Sequence, residues 1–375
     1  MSRSKHFDVV IVGGGVIGLS LTVRLAQRGV RVAVVDNHLP GQATHAAAGM
    51  LAPLSEASGD GPILELGLAS LEAYPDFVEQ VAVISKLPLR IEGNGLLRIA
   101  QSDDEAKHLK AAFHRRSHLS LPQELLTAED LREAEPLLSP AIALAVRSPA
   151  ERHIQPRLLL AALWKAAENL GAEIFASEAV TSILHNGARI QAVQTECRTV
   201  PCGQCVLCGG AWSAAAAAML TGTTLPVTPL KGQIAVLELT GSPLLRHTIY
   251  AHSRYLVPRD NGEIVIGATE EPEAGFDAAT HPYTISRLRL DAEALVPALS
   301  GLPLSSAWSG LRPASPDGLP ILGRLPHWDN AHAATGHGRN GILLAPQTAD
   351  LLTACILDGQ DPPQAFSPQR FEARS

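Results

Sequence analysis

Phe7-Asp8-Val9-Val10-Ile11-Val12-Gly13-Gly14-Gly15-Val16-Ile17-Gly18, followed by Arg31-Val32-Ala33-Val34-Val35-Asp36, decides the fold of this 375-residue chain. The first apolar run does not alternate, so it reads as a strand buried on both faces. The glycines read as a turn, and the next stretch as a helix ending near Gly29. Gly13 permits the tight turn, Gly15 lets backbone approach a pyrophosphate, and Gly18 lets the helix pack closely on the strand. The helix N-terminus would face the phosphates, and Asp36 would accept a hydrogen bond from a ribose hydroxyl. The expected ligand of this segment is a dinucleotide.

The chain has room for two domains, or for one large domain with insertions. With 46% hydrophobic and 18% charged residues it reads as globular and not disordered. A formal charge of −7 disfavours a general nucleic-acid binder, so no nucleic-acid partner is expected. The Ala-rich stretch 214–220 is too short to span a bilayer, and no stable membrane insertion is expected. A cleavable signal peptide would remove the first strand of the fingerprint, which favours a cytoplasmic location.

Cys197, Cys202, Cys205 and Cys208 read C-x4-C-x2-C-x2-C, a spacing that suggests zinc or iron–sulfur. The local pattern opposes it. Gln204-Cys205-Val206-Leu207-Cys208-Gly209-Gly210 reads as a buried strand entering a glycine turn, and residues three apart on a strand face opposite sides. The cysteines are therefore expected in the core, with no metal.

Beyond the first βαβ unit, the small-residue segment 41–53 suits a loop against a ligand. Helices are expected at 63–84, 103–116, 127–138 (Thr127 and Asp130 at capping-box spacing), 156–170, 285–295 and 343–357. Leu89 to Ala100 reads as a hairpin around Gly93-Asn94-Gly95. Strands are expected at 173–184, 188–195, 205–208, 232–239, 247–250, 255–257 and 263–266. No repeat or linker separates the parts, so the two domains are expected to interleave.

Three segments outside the fingerprint look unlike ordinary core. His153-Ile154-Gln155-Pro156 reads either as a helix entry with a satisfied histidine or as part of a site. Tyr255-Leu256-Val257-Pro258-Arg259 opens a strand pair ending in Gly267-Ala268-Thr269. Trp308-Ser309-Gly310-Leu311-Arg312-Pro313 and Gly336-His337-Gly338-Arg339-Asn340-Gly341 each set one arginine among glycines and prolines. A guanidinium held there presents a fork matched to a carboxylate; the bland alternative is a surface arginine in a loop.

The set GGGVIG, AAAGM, HIQP, GGAWS, YLVPR, IGAT, WSGLRPASPDGLPILG and GHGRNGILLAP resembles, in order and spacing, flavin amine oxidases of the D-amino-acid oxidase family, and most of all its glycine-oxidase branch of bacterial thiamine biosynthesis. The resemblance covers nearly the whole chain, and the two C-terminal motifs and AAAGM carry most of it.

It implies an α/β chain in which a Rossmann-like FAD-binding domain interleaves with a mostly antiparallel substrate domain. The FAD-binding parts would be 1–85, 140–225 and 310–375, and the substrate-binding parts 86–139 and 226–309. FAD, held noncovalently, would contact Gly13, Gly15, Val16, Ile17 and Gly18, with Asp36 and Asn37 on the adenosine ribose side. Ala43, Thr44, Ala48, Gly49 and Met50 would line the flavin side, and Val180 would lie near the adenine. His337, Gly338, Arg339, Asn340, Gly341, Ile342 and Leu343 would wrap the isoalloxazine. Arg312 would clamp the substrate carboxylate, assisted by Arg339 and Tyr255, with Met50 also facing the substrate.

The implied reaction is oxidation of glycine, sarcosine or D-alanine to an imine or 2-oxo acid, with O2 reduced to H2O2. A dimer or tetramer is implied. A related dehydrogenase using a quinone or another acceptor is the nearest alternative. The acidic balance weighs against a tRNA-base-demethylating flavin domain, the later motifs offer an NAD-dependent dehydrogenase no catalytic His or Lys arrangement, and a noncatalytic nucleotide-binding module would be marked by colourless protein. His45, Gln42 and Glu270 depart from residues common in relatives. Glu270 would favour amine recognition if it faced the pocket.

Overall fold

The computed structural model describes residues 5–57, 59–239, 244–252 and 254–372. The chain runs β1 (Phe7–Val12), α1 (Val16–Gln27), β2 (Val32–Asp36), α2 (Ala43–Ala46), β3 (Met50–Leu51), α3 (Pro53–Glu56) and α4 (Pro62–Ser85). Next come β4 (Ile91–Glu92), β5 (Leu96–Ala100), α5 (Asp103–Arg115), β6 (Glu124–Leu126), α6 (Ala128–Ala134), β7 (Leu144–Ser148), β8 (Arg152–Ile154) and α7 (Pro156–Asn169). Then follow β9 (Glu173–Ala176), β10 (Val180–Asn186), β11 (Arg189–Thr195), β12 (Thr199–Leu207), α8 (Ser213–Thr221), β13 (Thr228–Leu237) and β14 (Thr248–Ala251). The remainder is β15 (Arg254–Pro258), β16 (Ile264–Gly267), α9 (Pro282–Leu295), β17 (Leu304–Ala314), β18 (Ile321–Arg324), β19 (Ala331–Thr335) and α10 (Gly341–Asp358).

The first sheet has the order β10-β11-β12-β1-β2-β9, with β19 joining β12 and β18 pairing β19. Its centre, β19, β12, β1, β2 and β9, is parallel. Both faces of β1 are covered. Val9 and Ile11 pack with α1, α4 and α10, whereas Val10 joins Cys205, Leu207 and the α8 residue Ala217 on the other face.

The glycine turn fits this packing closely. A Cβ on Gly18 would lie 2.0 Å from the Gly13 carbonyl, and Gly13 has φ 115° and backs onto the Cys208 carbonyl. Bulk at either position would push α1 off the strand ends. Cys205 and Cys208 obey the strand rule, lying in clusters on opposite faces of the sheet, and Cys202 is buried, but Cys197, expected in the core with them, is exposed.

The second sheet, β17-β13-β16-β15-β14-β5-β7-β6, is antiparallel except where β14 runs parallel to β5. Its members come from both sides of the β8–α7–β9 stretch, so the two sheets interleave along the chain. A small sheet, β3-β8-β4, lies in the segments that run between them.

Two local expectations are corrected. Residues 89–100 do not form a hairpin: β4 pairs β8 in the small sheet, while β5 pairs β7 and β14 in the second sheet. Gly93 and Gly95, both at positive φ, carry the chain from one sheet to the other. The helix expected to reach Leu138 stops at Ala134, although its Thr127–Asp130 capping box forms. Glu135 precedes Pro136, which disfavours helical backbone, and its carboxylate turns inward to accept from the Arg246 and His247 amides.

Helix α10 has the length and apolarity of a membrane span by composition. Here its apolar residues Ile342, Leu343, Leu344, Ala345, Ala349 and Leu352 pack in the core with α1 and α4.

Candidate active site

A single cavity extends from the C-terminal ends of β1 and β2 to the face of the second sheet, so Asp36 and Arg312 line the same space. At the first end, Val16 starts α1 behind an extended Gly15, leaving the first-turn amides directed toward the cavity. Thr44 of α2 accepts from the Val16 amide at 3.1 Å, which ties α2 over the helix start. Asp36, at the tip of β2, accepts from the Gly14 amide, from the His38 amide at 2.6 Å and from Gln42 Nε2 at 3.1 Å. Glu178 reaches the same end because its amide donates to the Asp36 carbonyl, which brings Val180 alongside.

At the other end, β17 carries Arg312 opposite Leu230 of β13, with Gly310 opposite Gly232. The Arg312 guanidinium lies directly over Gly232: a Cβ there would be 2.4 Å from Nη2 and 2.5 Å from Nη1. Its Nη1 donates to the Thr269 carbonyl at 3.1 Å, and no carboxylate pairs with it among the described residues. Arg312 is therefore a positioned cation with no carboxylate in direct contact, although its charge is felt by the buried Glu56.

The loop 336–340 is stitched to β17: the Gly338 amide donates to the Pro313 carbonyl, and His337 bridges Ala314. This places Arg339 beside Arg312, yet its neighbours differ. Arg339 Nε donates to Glu56 Oε1 at 3.0 Å, and Nη1 lies 3.5 Å from Glu270 Oε1. Burial pushes the Glu56 carboxyl up while Arg339 pulls it down, and the net displacement is upward. Burial opposes the Arg339 charge, but Glu56, Tyr250 and Glu270 outweigh it and hold the guanidinium charged.

Tyr255 is buried, its ring packs over Gly267, and burial pushes its hydroxyl up to about 12. It remains a neutral donor at the cavity wall. Burial pushes His337 down to about 3, and its Nε2 pairs with Thr348 Oγ1 at 3.1 Å, so the imidazole is neutral.

Of the residues expected from sequence, Gly13, Gly15, Val16, Ile17, Asp36, Asn37, Ala43, Thr44, Ala48, Gly49, Met50 and Val180 all line this cavity. So do Tyr255, Arg312, His337, Gly338, Arg339, Gly341 and Ile342. Three lie behind its wall. Gly18 packs against the Gly13 carbonyl, Asn340 caps α10, and Leu343 is in the core with its carbonyl bound by Ser70 Oγ.

His45 is exposed and away from the wall, whereas Gln42 is part of it. His153 is a core residue of β8 just before α7 and does not line the cavity, but it is not the satisfied histidine expected: Nδ1 lies 3.3 Å from Thr248 Oγ1, while Nε2 has no hydrogen-bond partner among the described residues. Glu56 and Gly232 escaped the sequence reading. Their signals were an acid closing the small-residue segment and a glycine inside a strand, a mark of close approach by another group.

A phosphate-ready helix start and a positioned arginine in one cavity define a dinucleotide-dependent oxidoreductase. A family model described as FAD dependent oxidoreductase matches residues 8–355, and the chain belongs to that family. The structure of glycine oxidase from Geobacillus kaustophilus superposes with a TM-score of 0.92 at 33% identity, covering 98% of this chain and 100% of that one. Hydrogen cyanide synthase subunit HcnC of Pseudomonas aeruginosa is 33% identical over 94% of this chain and 93% of its own length. Bifunctional protein ThiO/ThiG of Trichormus variabilis is 35% identical over 98% of this chain and 56% of its own length.

FAD is the cofactor of this family, and the residues present suit it. The α1 start and Asp36 suit the ADP half, and the apolar Ala46–Met50 wall suits a flat ring. The first turn of α10 lines the cavity and carries no acidic residue, so its amides would be available to negative charge on a bound ring.

Proposed function

We propose that this chain oxidises glycine or a similarly small amino acid, such as sarcosine or D-alanine, to an imine or 2-oxo acid. Electrons would pass to O2 to give H2O2. The observation that carries the reading is Arg312, a guanidinium with no carboxylate in direct contact among the described residues, in the same cavity as the dinucleotide turn. The first sheet with its helices would hold the cofactor, and the second sheet would present the substrate residues.

Bound FAD supplies a two-electron acceptor. Arg312 grips the substrate carboxylate through its forked donors, and the Thr269 carbonyl fixes the direction of the fork. Tyr255, kept protonated, donates to the same carboxylate or accepts from the amine. Met50, Ala48 and Ile234 give the cavity an apolar wall beside the clamp. Catalysis on this reading rests mainly on positioning. The likeness to ThiO/ThiG supports a role in supplying thiazole synthesis for thiamine.

The test is the visible spectrum of the holoenzyme mixed without oxygen with glycine, sarcosine, D-alanine and D-proline, then with air. Bleaching by glycine, followed by recolouring with peroxide formation, is the expected result. Bleaching without peroxide in air assigns a dehydrogenase. Arg312→Ala should weaken apparent substrate binding by ~2–3 kcal/mol or more. Unchanged saturation by glycine in that variant overturns the clamp.

A further inference from the structure

The reading of Arg312 leaves a second cavity arginine without a task. Two guanidinium groups side by side would suit a substrate with two carboxylates, one on each. The surroundings of Arg339 oppose that use. Glu56 holds its Nε from within the wall, with its side chain 4% exposed, and Glu270 approaches Nη1 from the half-exposed rim. Tyr250 covers the guanidinium from a third side, with Cζ 5.9 Å from the ring centroid.

The residues on either side of Glu270 are anchored. The preceding residue, Thr269, gives its carbonyl to Arg312 and its hydroxyl oxygen to the Gln233 amide. The following residue, Glu271, accepts from Gln233 Nε2 at 2.8 Å. Beyond it, the fully buried Lys231 pairs with Asp277 and anchors the segment to β13. The chain thus sets an exposed acid 3.5 Å from the cavity-lining Arg339, one residue from the carbonyl that aims the clamp. Among the described residues Arg339 is in contact with two carboxylates and Arg312 with none, so Arg312 is the more available of the two to an incoming carboxylate.

We propose that Glu270, with the Arg339–Glu56 pair behind it, is a specificity-determining residue that rejects substrates bearing a second carboxylate. This deepens the amino-acid reading and rests on it. A monocarboxylate places its charge on Arg312 and turns its small remainder toward Arg339 and Glu270. A dicarboxylate must bring its second charge against Glu270 or displace it from Arg339. Like charges a few ångströms apart at a half-exposed rim repel by enough to change affinity about tenfold.

The experiment measures binding and turnover separately in the FAD-loaded protein. Acetate and malonate are titrated against the flavin absorption band, and glycine and iminodiacetate are compared by kcat/KM, in wild type and Glu270→Gln. Expected in the variant is a rise of about tenfold in malonate affinity relative to acetate, and a comparable rise for iminodiacetate relative to glycine. Glycine turnover in each protein is the internal reference, so any effect of the amide on the amine end is divided out of the ratio. Raising the salt should shrink the wild-type discrimination. Unchanged ratios in Glu270→Gln, with acetate and glycine binding normally, overturn the filter and leave the clamp intact. Loss of all carboxylate binding preference in wild type overturns both.

Discussion

Arg312 and Arg339 bring equal charge to one cavity, and their neighbours divide the work between them. Arg312 rests on backbone alone, so its forked donors are available to a ligand. That availability depends on a residue with no side chain. Gly232 lies under the guanidinium, and a methyl group there would meet both terminal nitrogens. The β13–β17 pairing would survive Gly232→Ala, because the close contact is with the flexible end of a side chain. The expected outcome is a rise in KM for glycine of about tenfold or more with a thermal midpoint near that of wild type, since only a ligand contact is misplaced. A wild-type KM in Gly232→Ala would show that the guanidinium need not lie there.

At the scale of elements, α10 contains Pro346, which has no N–H to give the carbonyl four residues back. That carbonyl belongs to Ile342, in the turn that lines the cavity. Tyr74 of α4 supplies the missing donor at 3.0 Å, and Ser70 one turn earlier donates to the Leu343 carbonyl at 2.6 Å. The interrupted helix is thus completed by its neighbour. Tyr74→Phe keeps the ring in the core but leaves a buried carbonyl unpaired. It should lower stability by ~1–2 kcal/mol, read as a shift in denaturant midpoint with an unchanged slope. No shift would mean that the carbonyl finds another partner. The same pairing explains why α10 must pack against α4, a relation that no local pattern in either helix announces.

For the whole molecule, the segments between the sheets are held by a buried acid. Glu151, just before β8, accepts from the Leu54 and Ser55 amides and from the Ser55 hydroxyl, and so fixes α3 and the Glu56 it carries. Burial pushes its carboxyl up to about 7. Folding therefore takes up a proton between the ordinary glutamate range and about 7. The stability linked to that proton is present at acidic pH and lost as pH rises through about 7.

Replacing the group by Glu151→Gln removes the titration. The wild-type stability measured against the variant should fall by on the order of 2–3 kcal/mol between pH 5 and pH 8 in denaturant titrations. A difference that stays constant with pH would show that Glu151 ionises as freely in the folded chain as in the unfolded one.

By itself, the sequence determined the parallel βαβ opening, the core role of Cys202, Cys205 and Cys208, and the two arginines set among glycines and prolines. These follow from local physics: apolar runs, glycine at positions that admit no Cβ, and the opposite faces of a strand. Motif order carried most of the cavity lining, from Gly13 to Ile342. Tertiary structure alone decided that residues 89–100 divide between two sheets, because partners 44 or more residues away compete for their backbone groups. It also decided which arginine is the more available to a ligand. The partners of Arg339 are 283 and 69 residues away in the chain, and electrostatic neutralisation depends on distance in space, which no spacing in the sequence records.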